Sequence, residues 1–129
     1  MTTVVDSSVL VAGLHREDAL HVHGKTALEE SEKPILVPEY IAIETATTLI
    51  RVAGKPIADI FVRSLFDNKD ILVLPSSLEQ FAEAVETFLS SNGKLSFIDC
   101  SLLALSRSHE VVTFDKVLAK AIKALRKDL

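Results

Sequence analysis

The residues of this chain most able to do chemistry are four acids from four separate parts of the sequence: Asp6, Glu44, Asp99 and Asp115. Carboxylate oxygens are the ligands that hard divalent cations such as Mg²⁺ and Mn²⁺ prefer. If the fold brings these side chains together, we therefore expect one acidic site for a divalent metal. Whether they can meet depends on the elements that carry them.

Strands and helices are predicted to alternate along the chain. Short apolar runs rich in β-branched residues predict strands at Thr2–Val5, Ile35–Val37, Ile71–Leu74 and Val111–Phe114. Propensity, prolines and glycines predict helices at Ala19–Glu30, Glu39–Ala53, Pro56–Phe66, Ser77–Ser90, Ile98–Ser108 and Lys116–Lys127, with Pro38 at a first helical position. This order predicts an α/β fold of three layers, in which a parallel sheet has helices on both faces.

The predicted topology places the four acids at the same edge of the sheet. Ligands of open parallel sheets bind outside the carboxyl ends of the strands, and Asp6 and Asp115 directly follow predicted strands. Glu44 lies in the second turn of the helix after Ile35–Val37. Asp99 begins a helix that must end at the amino edge, because a short connection leads from it into the last strand. All four should therefore face one region.

Each acid also has an ordinary structural interpretation. Asp6 and Asp115 could be turn residues that end strands, and Asp99 could be a helix-start acid stabilised by the helix dipole. Glu44 is harder to explain in this way, because it lies in an apolar stretch with no basic residue within a helical turn. A buried charge without a partner is costly, and a shared cation would remove that cost.

Composition limits the classes of protein that this chain can belong to. At 129 residues it is expected to form one domain, and its 48% apolar content predicts a buried sheet, a subunit interface or a partner groove. No apolar run approaches the roughly 18 residues of a membrane span, and no signal peptide is recognisable. A single cysteine, Cys100, fits a reducing cytoplasm. The net charge of −4 argues against non-specific nucleic-acid binding.

Other chemistries lack their sequence signatures. There is no G-x-G-x-x-G or G-x-x-x-x-G-K-[ST] loop for a nucleotide and no G-x-S-x-G elbow for a serine hydrolase. His15, His21 and His23 lack ligand spacing on a common helical face, which disfavours zinc. A receiver-like signalling domain would have paired acids after the first strand, whereas two serines follow Asp6 here.

Four motifs resemble one known family, the PIN domain, and within it the short VapC-type toxin ribonucleases. They are V-V-D-S-S-V-L at Val4–Leu10, P-E-Y-I-A-I-E-T-A at Pro38–Ala46, F-I-D-C-S-L-L-A-L at Phe97–Leu105 and V-V-T-F-D-K at Val111–Lys116. Together they span nearly the whole chain in the order expected of that family. One departure is that Lys116 follows the last aspartate, where many members have another acidic or polar residue.

The resemblance implies a Mg²⁺- or Mn²⁺-dependent endoribonuclease that hydrolyses RNA through a metal-activated water. It implies that Asp6, Glu44, Asp99 and Asp115 are the metal and catalytic acids. It also implies that Ser8 and Thr113 are hydroxyls that support them. Toxins of this kind pair with a small antitoxin protein and are commonly homodimers. The alternative is a non-catalytic domain of the same fold that binds RNA or protein, although such a module has no need to collect four acids.

Basic side chains that could contact RNA lie mainly on the last predicted helix. Lys116, Lys120, Lys123 and Lys127 share one face of it, and Arg51, Lys55 and Arg63 could border the substrate path. An ordinary solvated face of an amphipathic helix explains the lysines equally simply, and we favour that interpretation.

Overall fold

The structure is a computed structural model that describes residues 2–127. Its strands are β1 (Thr3–Val5), β2 (Ile35–Pro38), β3 (Ile71–Leu74) and β4 (Glu110–Val112). They form one parallel sheet in the order β3-β2-β1-β4. The predicted fold class is confirmed, because the sheet is wholly parallel and helices flank both of its faces.

Helices connect the strands as crossovers. Within residues 2–127 they are α1 (Ser7–Leu14), α2 (His21–Glu30), α3 (Glu39–Val52), α4 (Lys55–Asp67), α5 (Leu78–Ser90), α6 (Phe97–Leu105) and α7 (Lys116–Lys127). None of these helices is long and apolar enough to cross a membrane.

The inner strand β1 positions the first acid of the edge. Every residue of β1 is buried, because β2 and β4 pair with it on either side while helices cover both faces. Val4 pairs with Leu36 and Val111, so the carboxyl ends of the three strands lie at one level. Asp6 leaves this core directly, and its backbone N–H donates to the carbonyl of Val112 at 2.9 Å.

Helix α1 is the one element that the sequence analysis did not predict. Four successive residues of it, Val9–Ala12, are buried, so it lacks the alternation of apolar and polar faces by which a surface helix is recognised. It packs closely on α2 through two glycines. A Cβ built on Gly24 would lie 2.5 Å from the backbone nitrogen of Gly13, which leaves no room for a side chain there.

Several predicted boundaries are wrong by a few residues. Pro38 is the last residue of β2 rather than the first of a helix. Helix α6 ends at Leu105 and not at Ser108, because the chain tightens there into overlapping turns, with the Ser106 N–H bonded to carbonyls three and four residues back. The last strand ends at Val112 instead of Phe114.

The start of α2 was also predicted too early. Asp18 accepts a hydrogen bond from the Leu20 backbone N–H at 2.8 Å, which holds the preceding residues in a turn. The helix therefore begins at His21 and not at Ala19.

Candidate metal centre

Asp6 is the most buried acid of the candidate site, with 5% of its surface exposed. It caps α1, since its Oδ1 accepts a hydrogen bond from the Ser7 backbone N–H at 2.7 Å. Its Oδ2 accepts from the Thr113 hydroxyl at 2.7 Å and from the Ser8 hydroxyl at 3.2 Å. These three hydrogen bonds hold the nearly buried Asp6 carboxylate in a fixed orientation.

Glu44 is joined to Asp6 by the hydroxyl of Ser7. That hydroxyl lies 3.0 Å from Oε2 of Glu44 and 3.4 Å from Oδ1 of Asp6. A serine has one proton to donate, so it can serve only one of the two carboxylates at a time. The pair therefore keeps acceptor capacity that no donor among residues 2–127 fills.

Asp99 lies at the third position of α6 and forms a capping box with Ser96. The Asp99 N–H donates to the Ser96 hydroxyl at 3.0 Å, and the Ser96 N–H donates to Oδ2 of Asp99 at 3.1 Å. The ordinary helix-start interpretation is thus correct for one oxygen of this carboxylate. Among the described residues, no hydrogen bond reaches its other oxygen, Oδ1.

Asp115 precedes α7 and also caps a helix, because its Oδ1 accepts from the Leu118 N–H at 2.9 Å. Its own N–H donates to the Thr113 hydroxyl at 3.0 Å, and that hydroxyl in turn donates to Asp6. The hydroxyl of Ser8 completes the link, since it accepts from the Phe114 N–H at 3.1 Å. Both hydroxyls assigned supporting roles from the sequence therefore contact Asp6 and connect the exits of β1 and β4.

The electrostatics of Glu44 indicate that Asp6 and Asp99 lie close enough to act on it. Burial raises the pKa of Glu44, the hydrogen bond from Ser7 lowers it, and the negative charges of Asp6 and Asp99 raise it further. Among residues 2–127, no lysine, arginine or histidine forms an ion pair with any of the four acids. Within the described residues, the edge therefore carries negative charge that no ion pair neutralises.

The donor set suits a hard divalent cation that keeps part of its water, rather than one enclosed entirely by protein ligands. In the part of the chain that the structure describes, no three carboxylate, imidazole or thiol groups are arranged closely enough to hold a metal by themselves. Mg²⁺ commonly keeps several waters and uses one or two carboxylates together with substrate phosphates. Among residues 2–127, Glu44 and Asp99 each keep one oxygen without a hydrogen-bond donor, and no ion pair neutralises them or Asp6, which suits such a partly hydrated ion. The metal role of all four acids stays a prediction.

Sequence reasoning missed Ser7 and Tyr40. Burial, opposed by a hydrogen bond with Ser101, raises the pKa of Tyr40 to about 12, and the charge of Asp6 adds to the increase. Its phenol is therefore protonated near the acids. A hydroxyl next to an aspartate and an aromatic residue after a strand are too common to be recognised from the sequence.

The candidate RNA-contacting side chains Lys116, Lys120 and Arg51 are all exposed. Lys116 is the first residue of α7 and follows Asp115 directly, so it lies next to the acidic edge. Lys120 is one helical turn further on, and Arg51 lies in the last turn of α3. Their exposure is compatible with both a solvated face and phosphate contact.

Comparison with known families and solved structures identifies the class of protein to which this fold and its acidic edge belong. The sequence model of the PIN domain matches residues 3–124, so this chain belongs to the PIN domain family. Among solved structures, it is similar to VapC20 of Mycobacterium tuberculosis, described as a toxin that cleaves the sarcin-ricin loop. The TM-score is 0.84 at 21% identity, over 93% of this chain and 95% of that one. No curated protein sequence gives a significant match.

Proposed function

We propose that this chain is a divalent-metal-dependent endoribonuclease and the toxin of a toxin–antitoxin pair. The observation that carries the proposal is the acidic edge, where Asp6 and Asp99 act on Glu44 and no basic side chain of residues 2–127 forms an ion pair with these acids. Membership of the PIN family and the structural similarity to a VapC toxin support it. A module that only binds RNA or protein would gain nothing from uncompensated charge at this position.

The residues divide the work of phosphodiester hydrolysis between them. Asp6, Asp99 and Asp115 would share in holding Mg²⁺ or Mn²⁺ together with water and the substrate phosphate. Ser8 and Thr113 both donate to Oδ2 of Asp6 and so fix the direction of that carboxylate. When bound, the metal supplies Lewis-acid polarisation of the scissile phosphate and a water of lowered pKa.

Glu44 is the acid best placed to handle a proton. Ser7 bonds to its Oε2, and Oε1 has no hydrogen-bond donor among residues 2–127. That oxygen can orient the attacking water and accept its proton, which the raised pKa of Glu44 assists. The same carboxylate could instead hold a second metal ion.

The exposed apolar side chains of α3 and α4 support the proposal of a protein partner. Ile43, Ile50, Ile60 and Phe66 are all largely exposed, which is unfavourable for an isolated domain. We assign this surface to a small antitoxin, and we keep a homodimer and a cytoplasmic location as part of the proposal. Growth arrest on expression, relieved by co-expression of a short neighbouring reading frame, would support the antitoxin assignment.

The decisive experiment measures RNA cleavage with Mn²⁺, with Mg²⁺ and in EDTA. The substrate should be total RNA with mapping of new ends, since such an enzyme can be highly sequence-selective. We expect cleavage only with metal. Asp6→Asn and Asp99→Asn should each reduce the rate of RNA cleavage by more than the roughly 10–100-fold that is typical when a residue only supports a metal ligand.

A matched control is Asp59→Asn, because Asp59 is paired with Lys55 on α4 and is not one of the four acids. It should keep full activity. Circular dichroism of each variant separates loss of chemistry from loss of fold. Full activity in EDTA, or in both site variants, would remove the metal mechanism and leave the non-catalytic alternative.

A further inference from the structure

A cavity of about 250 Å³ lies between α5, α6 and the first turn of α3. The residues that line it are mainly apolar, with a few polar side chains among them: Tyr40, Ser76, Gln80, Phe81, Glu83 and Ile98, together with others of α5 and α6. It is smaller than a typical site for a drug-sized ligand, which occupies roughly 300–1,000 Å³. Its size therefore suits one flat ring system.

Stacked aromatic rings form part of the cavity and its surroundings. Phe97 stacks on Phe88 with ring centroids 5.0 Å apart and on Phe81 with centroids 5.8 Å apart, both at an interplanar angle of 15°. Phe81 and Phe97 line the cavity and are 56% and 39% exposed. Parallel exposed rings offer a flat apolar surface of the kind on which unstacked nucleobases stack.

The cavity lining also includes side chains that can hydrogen-bond to the edge of a base. The Tyr40 phenol stays protonated, with its pKa raised to about 12, and can donate a hydrogen bond. Gln80 offers both a donor and an acceptor, and Glu83 offers an acceptor. Single-stranded RNA is read by this combination of stacking on the ring face and hydrogen bonding along the edge.

The cavity adjoins the acidic edge. Ile98 and Ser101, which line it, are one and two residues from Asp99 on α6. Tyr40 also lines it and feels the charge of Asp6. The cavity and the candidate site therefore share helices α3 and α6.

We propose that this cavity binds one unstacked nucleobase of single-stranded RNA, next to the phosphodiester at the acidic edge. The choice of ligand rests on the proposed ribonuclease function. The competing occupant is a second copy of this chain, which could cover the exposed Leu78, Phe81 and Leu89 of α5. The polar side chains within the cavity favour the base, because an apolar subunit contact would leave them unpaired.

The test is an NMR titration of isotopically labelled protein in EDTA with adenosine, guanosine, cytidine and uridine. Nucleosides carry a base and no phosphate, so the acidic edge does not repel them and no metal is needed. We expect at least one nucleoside to shift the methyl signals of Ala84, Ile98 and Leu105, which line the cavity, while free ribose does not.

Phe81→Ala removes one stacking ring from an exposed position, so the fold should survive. It should weaken nucleoside binding by about tenfold or more. Phe66→Ala, at an 87% exposed phenylalanine on α4, is the matched control and should leave binding unchanged. Identical behaviour of the two variants, or no shift at the cavity with any nucleoside, would overturn the inference.

Sedimentation of the same proteins tests the competing occupant. A wild-type dimer that Phe81→Ala converts to a monomer, without any nucleoside shift at the cavity, would assign the surface to a second copy. The titration also separates this inference from the proposed function. Metal-dependent cleavage without nucleoside binding would refute only the proposal that the cavity binds a base. Nucleoside binding without cleavage would refute only the proposed ribonuclease function.

Discussion

Thr113→Val should be the most informative single change at the acidic edge. The Thr113 hydroxyl donates to Oδ2 of Asp6 at 2.7 Å and accepts from the Asp115 N–H at 3.0 Å. Valine keeps the β-branched shape and removes both hydrogen bonds. Because Asp6 is only 5% exposed, bulk water cannot readily replace the lost donor.

The size of the effect follows from the bonds that remain. A hydrogen bond to a charged group contributes about 1.5–3 kcal/mol to stability. Asp6 keeps its bonds to the Ser7 N–H and the Ser8 hydroxyl, and the N–H of the exposed Asp115 can hydrogen-bond to water instead. We therefore expect the free energy of unfolding to fall by about 2 kcal/mol. For a domain of this size that corresponds to a fall in melting temperature of roughly 8 °C.

The assay is a thermal melt at pH 7 in EDTA, followed by calorimetric titration with Mn²⁺. A freer Asp6 carboxylate should weaken Mn²⁺ binding by roughly 10–100-fold. Thr113→Ser keeps the hydroxyl and should restore most of both quantities. Thr47→Val is the control, because the Thr47 hydroxyl bonds only to the carbonyl of Ile43 on the exposed face of α3. If Thr113→Val melts and binds Mn²⁺ like wild type, the hydroxyl does not position Asp6.

Three further changes test the charge, packing and substrate contacts. Burial and two neighbouring aspartates raise the folded pKa of Glu44, so its charged form destabilises the folded protein. This loss of stability is absent at low pH, grows as pH passes the unfolded pKa of about 4.3 and is complete above the folded pKa. Glu44→Gln should therefore be more stable than wild type at pH 7 in EDTA, and a difference in urea denaturation that does not shrink towards pH 3 would contradict this. Gly24→Ala should cost about 1–3 kcal/mol in the same denaturation assay, because its Cβ would lie 2.5 Å from a backbone nitrogen of α1; unchanged stability would refute the close packing. Lys116→Glu with Lys120→Glu should leave the salt dependence of RNA binding unchanged if these lysines form a solvated face, whereas phosphate contacts would reduce its slope by about 2.

The sequence determined the fold class and the edge at which the acids lie. Apolar β-branched runs separated by helices favour a parallel sheet with crossovers, and in such a sheet an acid directly after a strand lies at the carboxyl edge. Asp6 could be placed by its position after a strand and Asp99 by the short connection from its helix into the last strand, because both positions depend on chain direction alone. Helix α1 escaped prediction because its burial removed the amphipathic periodicity that identifies a helix.

Only the tertiary structure decided how the side chains at that edge contact one another. The bond from Ser7 to Glu44 and the bond from Thr113 to Asp6 join residues 37 and 107 positions apart, and no local pattern encodes such pairs. The cavity beside Tyr40 likewise exists only because α5 and α6 pack against the start of α3. Sequence periodicity fixes which edge a residue reaches, whereas hydrogen-bond partners depend on distances of a few ångströms that packing alone sets.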